Sequence, residues 1–517
     1  MRLLRWLPAA AMALIAGTTP VSSQEEANLV RNAGFEDGKT HWSLPKTFSV
    51  VDDVAHAGTR SLRLVNTNKV TYLLASQAIP FKPGMKYRYS AWIKTRGVQG
   101  EDTGATVCME WGGLKGWLGG SYASGKKGDR DWFRVEGVTA PIPKEATSVR
   151  VQLYLRKDMI GTAWFDDVSV AESYPPALDA ALLKPNYRGR LPKNAADQRV
   201  IVRAKLADYM KGSLKPEQTT LVCALLAGDK TVREQRIKQP KAGCNDVTFD
   251  AKPLAAGDYK VRVELLAPNG TSLGRQEFDL HKLAANAPQL TVFLDGQNRT
   301  IVNSKPFFPF GWYFGPGPTT KNFEEHLDRV AASPFNTIMC YGVNAGGVEK
   351  VRAYLDAFAA RKLKIIYSIK DVFAGTQYYH EPVLGFRGED AIVRGIVPLF
   401  RDHPALLAWY LNDELPLTMR HRLDARQRLV QQLDPNHPTW AVLYQVDEFY
   451  GYLNSADVLG ADPYPVPDRP VTMASDWTRK CAAVSDGLRP LWMVPQAMNW
   501  GSYRKDQADR LRPPTLD

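Results

Sequence analysis

Three polar residues, Asn412-Asp413-Glu414, end the apolar run Leu406-Leu-Ala-Trp-Tyr-Leu411, and Pro416 follows shortly after. The run has the length of a buried strand, so the cluster falls where that strand stops. In a β/α barrel the side chains that do chemistry lie at the C-terminal ends of the strands. Two adjacent carboxylates there suit acid/base work, because a carboxyl in a pocket can keep its proton and donate it to a leaving oxygen. Other carboxylates stand in comparable places. Asp462, in Gly460-Ala-Asp-Pro-Tyr-Pro465, follows the run Val458-Leu-Gly-Ala461, and Asp371 follows Lys364-Ile-Ile-Tyr-Ser-Ile369. Asp447-Glu448 is a weaker candidate, since a charged pair in a loop is usually solvated.

Aromatic and amide side chains recur at the same kind of position. Trp312 and Tyr313 follow one run, Tyr341 and Asn344 the next, and Tyr464, Gln496, Asn499 and Trp500 the last ones. Aromatic faces beside Asp, Asn and Gln hydrogen-bonding groups are the chemistry of a carbohydrate site. Each residue taken singly has a duller reading, such as Asp371 capping a loop. The set carries more weight than its members.

The elements that must position these residues begin near Gln289. Strand-like runs Phe307-Phe-Pro-Phe-Gly-Trp-Tyr-Phe314, Phe335-Asn-Thr-Ile-Met-Cys-Tyr341 and 364–369 alternate with helical periodicity over 322–332, 348–361 and 391–400. The 406–411 run, a helix over 419–433, and the runs Thr439-Trp-Ala-Val-Leu-Tyr444, 458–461 and Leu491-Trp-Met-Val494 continue the series. Seven strands alternating with helices or longer connections imply a parallel (β/α)8-type TIM barrel over 288–517. No eighth strand follows Trp500, and Pro513-Pro514-Thr515 reads as the start of a helix. The expectation is therefore a barrel cut short, in a chain that is a fragment.

Two further segments precede it. Residues 24–174 alternate with period two in Ser61-Leu-Arg-Leu-Val65, Tyr87-Arg-Tyr-Ser-Ala-Trp-Ile-Lys94, Val149-Arg-Val-Gln-Leu-Tyr-Leu155 and Ala163-Trp-Phe-Asp-Asp-Val-Ser-Val170, which indicates an antiparallel sandwich. Trp111 and Trp117, flanked by Gly112, Gly113, Gly116 and Gly119, suggest sugar platforms on an exposed loop. Residues 175–287 alternate in the same way and read as a small immunoglobulin-like β-sandwich, with a spacer role by default.

Two segments carry resemblances. Asn32-x-Gly34-Phe35-Glu36, His56-x-Gly58-x-x-Ser61-Leu62, Ala91-Trp-Ile-Lys94 and Trp164-Phe-Asp-Asp-Val168 resemble the jelly-roll carbohydrate-binding modules of galactose-binding-like fold. The 288–517 segment resembles the β/α-barrel glycoside hydrolases of the large retaining clan. In that clan an Asn-Glu pair ends the fourth strand and supplies the acid/base, and a glutamate ending the seventh strand is the nucleophile. The resemblance implies that Glu414 is the acid/base, with Asp413 in place of the asparagine. It also puts Gln496 where the nucleophile belongs, and an amide cannot serve as one. Asp462 or Asp413 would then be the second carboxylate. Alternatively the substrate assists itself, or the barrel binds sugar without cleaving it.

Composition narrows the classes. The net charge is +12, but Lys and Arg are dispersed, which argues against a nucleic-acid surface. Residues 1–23 read as a signal peptide: Arg2 and Arg5, the apolar stretch Leu7 to Gly17, then Val21-Ser22-Ser23. That stretch is shorter than the roughly 20 apolar residues a membrane span needs, so the expectation is a secreted or periplasmic protein with no membrane span. Cys108, Cys223, Cys244, Cys340 and Cys481 form no CxxC pair, which speaks against zinc. Cys223 and Cys244 either pair or stay as separate thiols. No phosphate loop, dinucleotide fingerprint or HExxH appears, so no cofactor is implied. The reading is an exported carbohydrate-active protein acting on a polysaccharide or oligosaccharide. A non-catalytic glycan-binding or adhesion protein is the rival.

Overall fold

A computed structural model describes residues 27–313, 315–504, 511 and 514. The signal expected over 1–23 lies outside these residues, as do Pro513 and Thr515. The chain divides at Pro175/Pro176 into two compact units.

The first unit is a two-sheet antiparallel sandwich. One sheet has five strands in the order Phe48–Val51, Ser61–Asn66, Ile160–Ser173, Lys86–Gln99 and Gly128–Val138. The other has four: Ala75–Ala78, Ser148–Leu155, Ala105–Gly113 and Gly116–Tyr122. Period-two alternation builds it: along Lys86–Gln99, Tyr87, Tyr89, Ala91 and Ile93 are buried while Arg88 and Arg96 face solvent. The glycines around Trp111 and Trp117 do not make the expected loop; they lie in the hairpin of Ala105–Gly113 and Gly116–Tyr122. Gly119 packs against the Trp111 indole, where a Cβ would come within 2.9 Å of Nε1. Trp111 is buried and offers no face to a sugar, whereas Trp117 is 66% exposed.

The second unit begins with another sandwich, of three strands (Leu178–Lys184, Arg199–Leu206, Gly243–Asp250) facing five (Arg190–Leu191, Ser272–Lys282, Gly257–Leu266, Thr220–Ala227, Lys230–Lys238). Cys223 and Cys244 lie on different sheets as free thiols, the first buried and the second exposed, so the two do not pair.

A six-stranded parallel sheet follows, its strands adjacent in sequence order: β1 (Gly311–Tyr313), β2 (Thr337–Cys340), β3 (Lys364–Ser368), β4 (Leu406–Asp413), β5 (Thr439–Leu443) and β6 (Val458–Ala461). Helices α1 (Phe323–Ala331), α2 (Val348–Ala360), α3 (Glu389–Phe400) and α4 (Arg420–Leu433) connect successive strands up to β5, and α5 (Met473–Ser485) follows β6. β1 is much shorter than the expected 307–314 run: Pro309 has no N–H to give a ladder, and Phe307 N donates instead to Thr300 O at 2.8 Å. The 491–494 segment runs beside β6: Trp492 N donates to Leu459 O and Val494 N to Ala461 O, both at 2.9 Å. Gly460 allows that approach, since a Cβ there would sit 2.1 Å from Trp492 O. Among the described residues the sheet stays open, a six-stranded half-barrel with 491–494 beside its last strand, where a TIM barrel cut short after its seventh strand was expected.

β4 is one of the two middle strands and is buried on both faces, which is why it reads as a continuous apolar run. Trp409 and Leu411 pack toward α2, α3 and α4 with Phe358, Ile396 and Val430. Leu407, Ala408 and Tyr410 face the hollow side, with Ile366, Val442, Val292 and Leu294.

The preceding sandwich is not a detached spacer. Tyr187 belongs to the core on the hollow side of the sheet, and Ala181 to a core with Phe373, Leu443 and Leu459. Arg188 is buried, 2.9 Å from Asp457, and donates to the carbonyls of Asp434 and His437. Asp179 binds Arg420 at 2.6 Å.

Candidate active site

The site forms where β4 ends. Between Tyr410 and Asn412 the register with β5 slips by one residue, so Leu411 is bulged. A bulge re-aims the side chains beyond it. Asp413 pairs with Val442, and Glu414 N donates to Val442 O at 2.9 Å. Glu414 then turns left-handed, with φ 58°. This conformation is costly for a residue with a Cβ, and its surroundings hold it. The Asn412 side chain accepts from Leu415 N at 3.0 Å, and Gln445 Nε2 donates to Glu414 O at 2.9 Å.

Asp413 is fixed from two sides. Its Oδ1 accepts from the hydroxyls of Tyr313 and Tyr410, each at 2.8 Å, and Tyr341 donates to the Tyr313 hydroxyl at 2.6 Å. Its Oδ2 lies 3.3 Å from Lys370 Nζ. Burial raises the pKa of all three tyrosines, so they stay protonated donors. Lys370, at the end of β3, is itself buried. It also binds Asp371 at 2.7 Å and lies over the rings of Tyr341 and Tyr378, 4.3 and 4.8 Å from their centres.

Glu414 and Asp462 stand close enough to shift each other's carboxyl. Burial is the main cause that raises both, and mutual repulsion adds to it at Asp462, which is pushed up to about 9. The interaction with Asp462 lowers Glu414 and raises Asp462, so the proton of the pair rests on Asp462; Asp413 raises Glu414, while Lys370 opposes. Asp462 is 6% exposed, and its Oδ1 receives no N–H or O–H donor. Two carboxyls this close cannot both ionise cheaply, so the pair holds a shared proton.

The other residues singled out in the sequence divide into two groups. Tyr464 borders the carboxyls: burial raises its pKa first, then the charge of Asp462. Trp500 meets Tyr464 edge to face at 6.1 Å. Asp371 and Asn344 line a cleft of about 150 Å³ beside Tyr341. Asn344 also bonds Ser368 O and the Tyr367 hydroxyl, which fixes its orientation. The remaining residues stand apart. Trp312 falls on the opposite side of β1 from Tyr313 and packs against Phe335 at 5.4 Å. Gln496 accepts from Val466 N and donates to the carbonyls of Val466 and Met498, so its amide clasps backbone. Asn499 caps a turn by accepting from Gly501 N. Asp447 pairs with Lys480 on the surface. Lys370, Tyr410 and Gln445 were missed. Lys370 directly precedes Asp371 at a strand end, and Tyr410 was hidden inside an apolar run.

No protein-family model matches the sequence, and no curated protein matches it. Among solved structures, a GH2 beta-galacturonidase from Eisenbergiella tayi is 11% identical over 87% of this chain and 81% of that one, with a TM-score of 0.31. The CBM22-1 xylan-binding domain from Paenibacillus barcinonensis is 14% identical over 29% of this chain and 97% of that one, with a TM-score of 0.25. The enzymatically active domain of bacteriophage CBA120 tailspike protein 4 is 14% identical over 28% of this chain, at a TM-score of 0.23, and the match spans only 21% of that chain's length. Likenesses at this level fix neither fold nor function.

Proposed function

We propose that the parallel-sheet unit hydrolyses O-glycosidic bonds of an oligosaccharide or polysaccharide, in an exported protein, with Glu414 as general acid. The observation that carries this reading is that Glu414 and Asp462, at the ends of β4 and β6 on either side of β5, act on each other's carboxyls, both pushed toward the protonated form. A carboxyl that keeps its proton near neutral pH can deliver it to a leaving oxygen. Asp413, ion-paired to Lys370 and bound by two tyrosines, is the second carboxylate in this reading. Its charge would stabilise positive charge developing on the sugar ring. Asp462 keeps the proton of the pair, and a protonated carboxyl is no nucleophile toward the sugar. Asp462 is therefore assigned to tuning the Glu414 proton and not to attacking the sugar. Tyr464 and Trp500 supply the aromatic border, and Trp117 on the first unit is a separate sugar platform.

Glu414→Gln tests the reading on a panel of aryl glycosides and oligosaccharides. General acid catalysis contributes about 10²–10⁴-fold, so turnover should fall by at least about a hundredfold while binding persists. Unchanged turnover would sink the assignment. The alternative, a glycan-binding protein without catalysis, is favoured by Gln496, whose amide is engaged with backbone where a nucleophile would be expected. Wild-type protein that binds a glycan and turns over none would establish it.

A further inference from the structure

We infer that the mouth at the strand ends selects glycosides whose reacting sugar carries no anionic group, as in neutral sugars and amino sugars, and excludes uronosides. This rests on the reading of the mouth as a glycoside site and adds the class of sugar. The first observation is the balance of charge. Among the described residues, Asp371, Asp413, Glu414 and Asp462 converge, and one cation, Lys370, stands among them.

That cation is already engaged. Its ammonium lies 2.7 Å from Asp371 and 3.3 Å from Asp413, and the rings of Tyr341 and Tyr378 cover it further. Two ion-paired carboxylates against one ammonium leave one negative charge. The Glu414–Asp462 pair with one shared proton adds a second. The flanking basic groups do not reverse this. Arg504 is paired with Asp468, and His380 is an exposed residue of the cleft wall.

The second observation is independent of the count. Asp462 is more than nine-tenths buried, faces Glu414, and its Oδ1 lacks any N–H or O–H donor. A sugar hydroxyl or ammonium supplies the donor that this acceptor lacks. A sugar carboxylate brings only acceptors and a third like charge into a half-buried space. At an effective dielectric of about 20, one like charge about 6 Å away lowers binding by roughly a hundredfold.

Matched aryl glycosides test this: glucoside against glucuronide, galactoside against galacturonide, and glucosaminide beside both. The neutral or amino member of a pair should exceed the uronoside in kcat/KM by about a hundredfold. Asp371→Asn, which removes one carboxylate, should narrow the gap by about tenfold. A uronoside that equals or exceeds its neutral partner overturns the inference. If no glycoside is turned over, the hydrolase reading fails, and calorimetric binding of the same free sugars decides the charge selection by itself. Preference for the neutral or amino sugar then upholds it, and equal or tighter uronate binding overturns it.

Discussion

Asp462→Asn should remove a loss of stability that the second unit suffers as pH rises. In the unfolded chain Asp462 ionises near 3.8, whereas in the fold burial and Glu414 hold its proton up to about 9. Between those values the folded state carries a proton that the unfolded state has released, so stability falls with rising pH. The contribution of this group is complete below the unfolded value and gone above the folded one. A difference of one proton makes a slope of about 1.4 kcal/mol per pH unit between the two values. Asparagine keeps the shape, donates to Glu414 and cannot ionise, so the variant lacks that slope. Urea unfolding followed by tryptophan fluorescence, at several pH values for both proteins, measures it. The first unit is common to both and cancels in the difference. The variant should gain on wild type by about 1.4 kcal/mol for each pH unit. Parallel curves would show that the pair holds no shared proton, and the argument for Glu414 as an acid would go with it.

Three other outcomes are expected. Glu414→Gly should be more stable than Glu414→Ala by about 1 kcal/mol, because glycine takes a φ of 58° without the cost of a Cβ; thermal unfolding giving the reverse order would contradict a left-handed residue there. Arg188→Met strands Asp457 in the interior and should cost about 3–5 kcal/mol, with part recovered in the double variant Arg188→Met/Asp457→Asn. Under native conditions a maleimide should label Cys244 and spare the four buried cysteines, with all five reacting after denaturation; mass spectrometry would read the count.

The strand ends were legible because β4 and β6 are short apolar runs that stop in charge, and burial on both faces leaves no other pattern. Glu414, Asp413 and Asp462 were legible for the same reason. Whether a side chain turns inward was not. Trp312 and Tyr313 are neighbours on β1, and the pleat sends them to opposite faces, so only a known register tells them apart. Gln496 sits where the strand count put it, but its amide partners come from the loop after β6, thirty positions upstream in sequence. Lys370 was invisible as a site residue because a lysine beside an aspartate reads as a solvated pair, and only the fold shows it buried under two tyrosine rings. The glycines near Trp111 suggested a loop, yet glycine serves equally where an indole presses on a neighbouring strand.

The way Tyr187 and Arg188 reach under the parallel sheet decides where the chain can be cut. Composition changes near residue 288, and a cloning boundary placed there would look natural. Such a cut would remove the guanidinium that neutralises Asp457 and the phenol ring that fills the hollow side, leaving a charge and a void in what remains. The smallest piece that can be transplanted, swapped or expressed with this site intact therefore starts at the Pro175/Pro176 junction. Any relative built by recombination would have to inherit the sandwich and the sheet together.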